Sequence, residues 1–438
     1  MIKLLKDGPW RQSQTINEPL SGTVEADVAI VGAGVTGLST ALELAERGVN
    51  VVVLEQKWVG YGASGKNAGH AAGSAVNEQL LMVKKFVGED AIRDYVALLK
   101  EAVAYMDDYI DRYQIDCDYR SIASITAGTG KKHREKVRAL TAKVKALGGD
   151  VTFVDEDEMR ERDLPGAFNC AMWGKGGVYQ PYKYVNGIRK VAEQKGVRLF
   201  EQSPVIDLKD GSPVILKTPE GEVRAKKVFL ATNAYTPHLP FKALPRRKVL
   251  PVYPTMVETD ILTDEQWSRI GWSGREAIVT AHAMIESYHP SATGSIVLGT
   301  LAPQIGYASS LNYEASQKVL ATQEAAFRRR FPMLEDVGIQ HGWGGWVALT
   351  TNFMPTCNRL EGSDNIFYAM AYQGHGIPKA TLMGQIASDM LTGKDYPYRN
   401  MFTQKSMNWP VEPVRYSMFY ALSGVSNMLD RLDDPLPR

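Results

Sequence analysis

The first regular pattern in the chain is a strand, a glycine turn, a helix and a second strand. Residues 27–31 are predicted to form a strand, because 28–31 are an unbroken apolar run, which is typical of a strand buried on both faces. Apolar residues recur at helical spacing from Thr36 to Arg47, and Gly48 is a natural end for that helix. Residues 51–54 are again continuously apolar. This order predicts one βαβ unit with a right-handed crossover.

The rest of the chain alternates between similar α/β segments and β-rich ones. Helical patterns run from about Glu78 to Tyr113 and from Lys131 to Leu147, and a small-residue loop is predicted between Tyr61 and Ala75. Residues 250–301 contain several short β-rich runs, which indicate an antiparallel sheet. The pattern therefore predicts two interleaved domains.

Three glycines in the first turn indicate a nucleotide site. Gly32, Gly34 and Gly37 follow the GxGxxG spacing between a strand and a helix. In that setting the glycines permit a tight turn, close approach of a pyrophosphate and packing of helix on strand. Glu55 ends the second strand, where its carboxylate can accept hydrogen bonds from ribose hydroxyls and would repel a 2′-phosphate, so NADP is not favoured.

Length, charge and cysteine content narrow the class of protein. A chain of 438 residues suggests two or three structural units. Its 50 Lys and Arg residues nearly balance its 49 Asp and Glu residues, so we expect no nucleic-acid partner. Cys117, Cys170 and Cys357 have no pairing or metal spacing, and the first 20 residues lack a secretory pattern. These features predict buried thiols and a cytoplasmic protein.

A helical pattern also closes the chain. Met418, Leu422, Val425, Met428 and Leu432 recur at helical spacing near the end of the sequence. We expect this helix to dock on its own protein, which is favoured over contact with a membrane surface.

Four segments resemble a known family. They are the glycine motif above, "GASGKNAG" at 62–69, "VFLATNAYT" at 228–236 and "YQGHGIPKATLMGQIA" at 372–387. Together they resemble the FAD-dependent amine and amino-acid oxidoreductases of the D-amino-acid oxidase family, which includes glycine and sarcosine oxidases. With "RYQIDCDYRS" at 112–121, the resemblance is nearest to gamma-glutamylputrescine oxidase-like members.

The resemblance implies an α/β fold with a Rossmann-type FAD-binding domain interleaved with an α+β substrate domain built on an antiparallel sheet. The FAD-binding domain is expected from 1–85, 182–240 and 346–400, the substrate domain from 86–181 and 241–345, and a helical tail from 401–438. Expected contacts with FAD come from Gly32, Ala33, Gly34, Val35, Thr36, Gly37, Glu55, Gln56, Ala63, Ser64, Lys66, Asn67, Ala68, Gly69, His70, Val205, Gly374, His375, Gly376 and Ile377.

The resemblance gives the segment at 374–377 a catalytic role. His375 and Gly376 precede a helix that begins near Pro378, a residue suited to the first helical turn. The implied arrangement places the N-terminus of this helix against the flavin ring, where its N–H groups and dipole would stabilise negative charge.

Two positions depart from the family pattern in the 62–70 segment. Lys66 stands where an arginine is common and Ala68 where a glycine is common. His70 is similar to the histidine that carries covalent flavin in dimethylglycine-type dehydrogenases, but it lies further beyond the loop serine. Noncovalent FAD is therefore favoured over a covalent link through His70.

Candidate substrate contacts are fewer. Tyr253, Tyr288, Trp343 and Trp346 lie in segments that the resemblance directs toward the flavin, and Lys379 is a candidate carboxylate anchor displaced by one position from the comparable lysine of sarcosine oxidases. We expect no metal site, because His282, His289 and His341 lack ligand spacing. Arg328–Arg330 is interpreted as a solvated helix end.

The predicted activity is FAD-dependent oxidation of the C–N bond of a small primary or secondary amine or amino acid to an imine. Hydrolysis of the imine and reoxidation by oxygen, with peroxide formation, would follow. Three alternatives stay open: a dehydrogenase of the same fold that passes electrons to a quinone or an electron-transfer protein, an NAD-dependent oxidoreductase, and a non-enzymatic flavoprotein.

Overall fold

A computed structural model describes residues 1–12, 15–73, 76, 78–241, 244–300 and 302–434, apart from the side chains of 78–80, 82 and 300. Within these residues the strands are β1 Lys3–Leu4, β2 Gly22–Val31, β3 Val51–Leu54, β4 His70–Ala72, β5 Arg120–Gly128, β6 Val151–Val154, β7 Cys170–Val178, β8 Arg198–Phe200, β9 Asp207–Lys209, β10 Val214–Lys217, β11 Gly221–Leu230, β12 Leu250–Val252, β13 Thr255–Thr259, β14 Ala277–Thr280, β15 Glu286–Pro290, β16 Ile296–Thr300, β17 Ile339–Gly344, β18 Val347–Leu349, β19 Thr356–Arg359 and β20 Ile366–Met370. The α-helices are α1 Val35–Glu46, α2 Ala63–Lys66, α3 Glu78–Val87, α4 Glu89–Tyr113, α5 Lys131–Ala146, α6 Glu156–Glu161, α7 Pro181–Gln194, α8 Asp264–Ile270, α9 Gln317–Arg330, α10 Ile377–Thr392, α11 Arg399–Phe402 and α12 Val414–Asp433.

An eight-stranded sheet contains the predicted βαβ unit. Its strand order is β19-β20-β11-β2-β3-β8, with β10 and β9 continuing from β11. The pairings β20–β11, β11–β2, β2–β3 and β3–β8 are parallel. Both faces of β2 and β3 are buried, which explains their continuous apolar runs. Helix α1 packs on one face, and the other face belongs to an apolar cluster that includes Val205, Val214 and Leu216. The carboxyl ends of β2, β3, β11 and β20 therefore meet at one edge.

A ten-stranded sheet forms the second layer. Its order is β1-β17-β13-β16-β15-β14-β5-β7-β4, with β6 paired to β7. Most neighbours are antiparallel, whereas β1–β17 and β14–β5 are parallel. The expected α/β fold with an antiparallel second sheet is confirmed. The exact domain boundaries stay a prediction, since β1 and β4 lie within 1–85 but pair in this second sheet.

The secondary structure differs from the prediction in two segments. The segment from Tyr61 onward was expected to be a loop, but it contains α2 and β4, because β4 pairs with β7. The helical stretch from Glu78 to Tyr113 is broken at Gly88, whose φ of 85° is incompatible with a continuous helix.

The tail forms the predicted helix, α12, but the predicted apolar positions do not form its docking face. Leu422, Val425, Met428 and Leu432 are all exposed, and Met418 is half-buried. The helix instead contacts the protein through a mixed side, where Arg415 and Asp430 are buried and Phe419 and Tyr420 pack against Leu250, Val252 and Ile305. Polar and aromatic contacts together therefore decide its orientation.

Two further observations concern the whole described chain. Cys117, Cys170 and Cys357 are free and buried, as predicted. Among the residues that the structure describes, no helix has both the length and the apolar character needed to cross a bilayer.

Candidate active site

A cleft of about 400 Å³ lies at the carboxyl edge of the eight-stranded sheet. It is lined by Val31, Gly32, Gly34, Thr36, Leu54, Glu55, Gln56, Lys57, Tyr61, Gly62, Ala63, Ser64, Asn67, Ser203, Pro204, Val205, Ala231, Thr232, Asn233, Tyr235, His238, Leu239, Pro240, Leu311, Trp346, Val347, Ala348, Tyr372, Gly374, Gly376, Ile377 and Ala380. Most of these residues directly follow β2, β3, β11 and β20. Open α/β sheets bind ligands at this edge, since the connections diverge there.

The glycine turn after β2 forms one wall of the cleft. Gly32 has a φ of 107°, and a Cβ there would lie 2.9 Å from the carbonyl oxygen of Ala231. A Cβ on Gly37 would lie 2.0 Å from the carbonyl oxygen of Gly32, so helix α1 can approach β2 this closely only with glycine. Gly34 is the N-cap of α1, which brings the positive end of the helix dipole to the cleft.

Glu55 provides a buried carboxylate at one end of the cleft. Its two oxygens accept hydrogen bonds from the amides of Ala33 at 2.9 Å and Lys57 at 3.0 Å. Burial raises the pKa of Glu55 to about 7, although these amide bonds oppose the rise. Each carboxylate oxygen has a second lone pair with which to accept a ligand hydroxyl.

The segment from Ala63 to Gly69 crosses the cleft beside α1. Ser64 Oγ accepts from the amide of Val35 at 2.9 Å and so supports the start of the helix. Asn67 braces the segment itself, because its Nδ2 donates to the carbonyl of Ser64 and its Oδ1 accepts from the amide of Gly69.

The loop after β20 and the start of α10 form the other end of the cleft. Gly374 has a φ of 82°, and Gly376 is the N-cap of α10. The hydroxyl of Tyr372 lies 2.8 Å from Thr36 Oγ1, so this loop is joined to α1. Two helix N-termini, of α1 and α10, therefore border the same cleft.

Lys379 lies beneath this loop, fully buried. Its Nζ donates to the hydroxyl of Tyr95 at 3.2 Å and to the carbonyl of Tyr372 at 3.0 Å, and lies 2.8 Å from His375 Nδ1. Burial lowers the pKa of Lys379 well below its usual value. Burial and the nearby Lys379 together hold the pKa of His375 well below its usual value.

Comparison with known proteins decides the family. The model of the family described as FAD dependent oxidoreductase (DAO) matches residues 27–390. The chain belongs to this family. It is 30% identical over 383 residues to a probable oxidoreductase, OrdL, of Haemophilus influenzae, across 86% of this chain and 85% of the relative. It is 28% identical over 383 residues to the gamma-glutamylputrescine oxidoreductase of Escherichia coli, across 86% of both chains.

A solved structure supports the same fold. The crystal structure of glycine oxidase from Geobacillus kaustophilus superimposes with a TM-score of 0.73 at 19% identity, covering 88% of this chain and 100% of that one. The predicted family, enzyme class and FAD dependence are therefore confirmed, and an NAD-dependent or non-enzymatic protein is no longer an alternative.

The residues of this FAD-dependent oxidoreductase fit its cofactor. The cleft combines a glycine wall that a side chain would obstruct, a buried carboxylate and two helix N-termini. Of the predicted FAD contacts, the cleft is lined by Gly32, Gly34, Thr36, Glu55, Gln56, Ala63, Ser64, Asn67, Val205, Gly374, Gly376 and Ile377. Ala33, Val35, Gly37, Lys66, Ala68, Gly69, His70 and His375 lie outside this lining.

Two of the outlying residues have other partners. Lys66 Nζ donates to the carbonyl of Lys6 at 3.0 Å and lies 4.5 Å from the ring centre of Tyr61, so this placement does not favour a contact with the pyrophosphate. His70 Nε2 lies 2.9 Å from Ser124 Oγ. Burial lowers the pKa of His70 to about 3, with a smaller contribution from His289.

The predicted substrate contacts separate into two groups. Trp346 lines the cleft, and Tyr253 packs edge-on against it with ring centres 5.1 Å apart. In contrast, Tyr288 is a core residue whose hydroxyl donates to Glu286 at 2.9 Å. Trp343 is also fully buried, and its Nε1 donates to the carbonyl of Lys66 at 3.0 Å. Lys379 points into the core rather than the cleft, so it is not placed to anchor a carboxylate.

Several cleft residues were not predicted individually. Tyr235 and Tyr372 lie within the motifs at 228–236 and 372–387, and Tyr61 directly precedes the motif at 62–69, so proximity to a motif was an available signal. His238 and Leu311 carry no such signal. His238 lies outside the motif at 228–236, and Leu311 reaches the cleft from a loop that is distant in the sequence.

A polar cluster lies elsewhere in the molecule. His282, Glu286 and Asp434 come within 4.8 Å of one another through possible ligand atoms, although no metal was expected. The interpretation of Arg328–Arg330 as a solvated helix end is wrong for Arg330, which is buried and paired with both carboxylates, so a cation is already present at this cluster.

Proposed function

We propose that this chain oxidises the C–N bond of a small primary or secondary amine to an imine. FAD supplies the hydride acceptor, and water then hydrolyses the imine to a carbonyl compound and an amine or ammonia. The observation that carries the proposal is a single cleft that runs from the buried carboxylate of Glu55 to the aromatic ring of Trp346, between the N-termini of α1 and α10.

The end of the cleft at Glu55 is proposed to hold the adenosine and pyrophosphate. Glu55 would accept hydrogen bonds from the ribose hydroxyls, since both of its oxygens retain lone pairs. The glycine wall from Gly32 to Gly34 would admit the pyrophosphate, and the dipole of α1 would favour its negative charge. Val205 lines this end, where contact with adenine is proposed.

The other end is proposed to hold the flavin ring noncovalently. The amides from Gly374 to Ile377, at the N-terminus of α10, would stabilise negative charge that develops on the ring. Lys379 is proposed to position His375 rather than to contact substrate. Lys379 Nζ lies 2.8 Å from His375 Nδ1, and this contact would fix the orientation of the imidazole.

An amine without a neighbouring carboxylate is the favoured substrate class. Among the cleft residues described above, the basic side chains are Lys57, near the adenosine end, and His238. Lys379 is directed into the core. In contrast, Trp346, Tyr61 and Tyr235 provide aromatic surface suited to an amine's carbon chain. The gamma-glutamylputrescine oxidoreductase relative, named for such an amine, agrees with this choice.

Two electron acceptors are considered. Oxygen, with formation of hydrogen peroxide, is the first proposal. A quinone or an electron-transfer protein is the second, and the exposed apolar residues of α12 favour it because they offer a surface for a lipid or a protein. The cytoplasmic location stays a prediction.

The test is the visible spectrum of the FAD-loaded protein under anaerobic conditions, with a panel of amines. The panel contains gamma-glutamylated amines, N-methyl amino acids, cyclic imino acids and D-amino acids. We expect a gamma-glutamylated or other carboxylate-distant amine to bleach the flavin band, and bleaching only by amino acids would overturn the substrate class. Readmitted air should restore the band with formation of peroxide, whereas slow recovery in air and fast recovery with a quinone would favour the dehydrogenase.

A further inference from the structure

Helix α12 presents its apolar side to solvent. The residues on this outer face are Val414, Ala421, Leu422, Val425, Met428, Leu429 and Leu432. Leu422 is 59% exposed and Leu432 is 67% exposed. A helix on the surface of a globular protein normally has the opposite arrangement, with its apolar stripe toward the core.

Polar and aromatic contacts hold the other side of α12 against the protein. Asp430 is buried, and its carboxylate accepts from the amides of Ala283 and Met284, both at 2.8 Å. Phe419 and Tyr420 belong to an apolar cluster with residues of the protein body, and the hydroxyl of Tyr420 donates to Gln304 at 3.1 Å. A rotation that turned the outer face inward would break these contacts and leave the buried carboxylate of Asp430 without the two amides, which is costly. The outer face is therefore a stable feature of the fold.

Positive charge flanks this face at its C-terminal end. Helix α5 contains seven Lys or Arg residues and a single Glu. It is joined to α12 by Lys132 and Lys136, which both pair with Asp433. Lys143 and Lys145, further along α5, are exposed. A basic surface beside an exposed apolar helix is typical of proteins that lie on anionic membranes.

The segment that precedes α12 contacts a basic residue and lies near the cleft. Arg247 is exposed and donates to the carbonyl of Trp409 at 3.2 Å. Ala308 donates its amide to Glu412 at 3.0 Å, and the adjacent Ser309 carbonyl lies 2.7 Å from Nε2 of His238, a residue of the cleft lining. A surface on which the outer face rested would therefore be close to the cleft mouth.

We propose that the outer face of α12 docks in the plane of an anionic lipid surface, with the basic side chains of α5 on the phosphate headgroups. The twenty residues of α12 span about 30 Å, so the apolar face is long enough to lie along the interface. A lipid surface is favoured over a second copy of this chain, because a copy would bring the same basic side chains into proximity. The proposal does not depend on the identity of the amine substrate.

The test is sedimentation of the FAD-loaded protein with lipid vesicles. Vesicles of pure phosphatidylcholine are compared with vesicles that also contain phosphatidylglycerol, at low and at high salt. We expect binding to the anionic vesicles, weakened by salt because the headgroup attraction is screened. The double variant Val425→Glu/Met428→Glu should reduce this binding by about tenfold or more, since it places charges in the apolar contact.

Two other variants sharpen the test. Lys143→Glu/Lys145→Glu should weaken binding to anionic vesicles while leaving the apolar face intact. Ile261→Glu is the matched control and should change nothing, because Ile261 is 59% exposed like Leu422 but belongs to the loop between β13 and α8. The flavin spectrum of each variant verifies that it is folded.

Two results would overturn the proposal. One is the absence of binding to anionic vesicles, or binding that Val425→Glu/Met428→Glu leaves unchanged. The other is a dimer in gel filtration with light scattering that this double variant dissociates, which would assign the face to a second copy of the chain. Neither result bears on amine oxidation, which the anaerobic spectrum tests separately.

Discussion

The two ends of the cleft are built in different ways. At the end near Glu55, Val205 contributes from a distant segment, but the side-chain hydrogen bonds lie within residues 33–64: Glu55 accepts from Ala33, and Ser64 accepts from Val35. At the other end, the loop after β20 rests on Lys379, which in turn contacts Tyr95 on α4. The first end depends on a local motif, and the second depends on residues hundreds of positions apart.

This difference indicates which properties each end controls. A change in the local motif should affect FAD binding with little effect on the rest of the protein. A change beneath the distant end should affect the stability of the fold as well, because Lys379 joins α10 to α4 through buried hydrogen bonds.

The largest expected effect is on FAD binding, at the glycine turn from Gly32 to Gly34. Gly34→Arg would fill the space proposed for the pyrophosphate, since even a Cβ there lies 2.8 Å from Ser64 Oγ. We expect loss of two or more charge-assisted hydrogen bonds to FAD, which weakens binding by about 100-fold or more and gives colourless protein. The ratio of flavin to protein absorbance measures this.

The matched control for Gly34→Arg is Gly166→Arg. Gly166 is exposed and a Cβ there meets nothing within 4 Å, so this variant should purify yellow. A yellow Gly34→Arg protein would contradict the assignment of the pyrophosphate to the turn after β2.

An intermediate effect, on the stability of the fold, is expected at Lys379, beneath the end of the cleft that is proposed to hold the flavin ring. Lys379→Met keeps the length of the side chain but leaves the carbonyl of Tyr372 without its donor and Nδ1 of His375 without its partner. We expect the free energy of unfolding to fall by about 1 to 3 kcal/mol, because these polar groups are buried. Urea unfolding of the apoprotein and the FAD-bound protein measures this, with the exposed Lys394→Met as control. Equal stability of Lys379→Met and the native protein would show that the two ends do not differ as described.

The smallest effect is expected at Glu55. The pKa of Glu55 is raised to about 7 by burial, so below this pH the unliganded carboxyl is mostly protonated. Ribose hydroxyls that donate to the carboxylate favour its ionised form, so FAD binding should strengthen as pH rises toward 7 and level off above it. The dissociation constant of FAD, followed by fluorescence across this range, measures the dependence.

Glu55→Gln should remove this pH dependence and weaken FAD binding above pH 7 by about tenfold, since an amide accepts fewer hydrogen bonds. Glu25→Gln, at an exposed position of β2, is the control and should retain the dependence. If the pH profile of Glu55→Gln matches that of the native protein, another group controls it.

The sequence predicted most of the fold, because its signals are local. Residues 28–31 and 51–54 are continuously apolar because they lie in β2 and β3, whose two faces are both buried. The segment around Ala63 was less predictable. Its short helix and β4 depend on pairing with β7, more than a hundred residues away, which no local pattern records.

The sequence by itself determined the glycine turn, Glu55 at the end of β3 and the presence of a helix at the end of the chain. These features depend on residue type and spacing within one or two elements. The tertiary structure alone decided that Lys379 and Tyr288 lie in the core, that Lys66 turns toward Lys6, and that α12 docks through Asp430 and its aromatic residues rather than through its predicted apolar positions. A helical pattern shows that one face is apolar, but the partners available in three dimensions decide which face is buried.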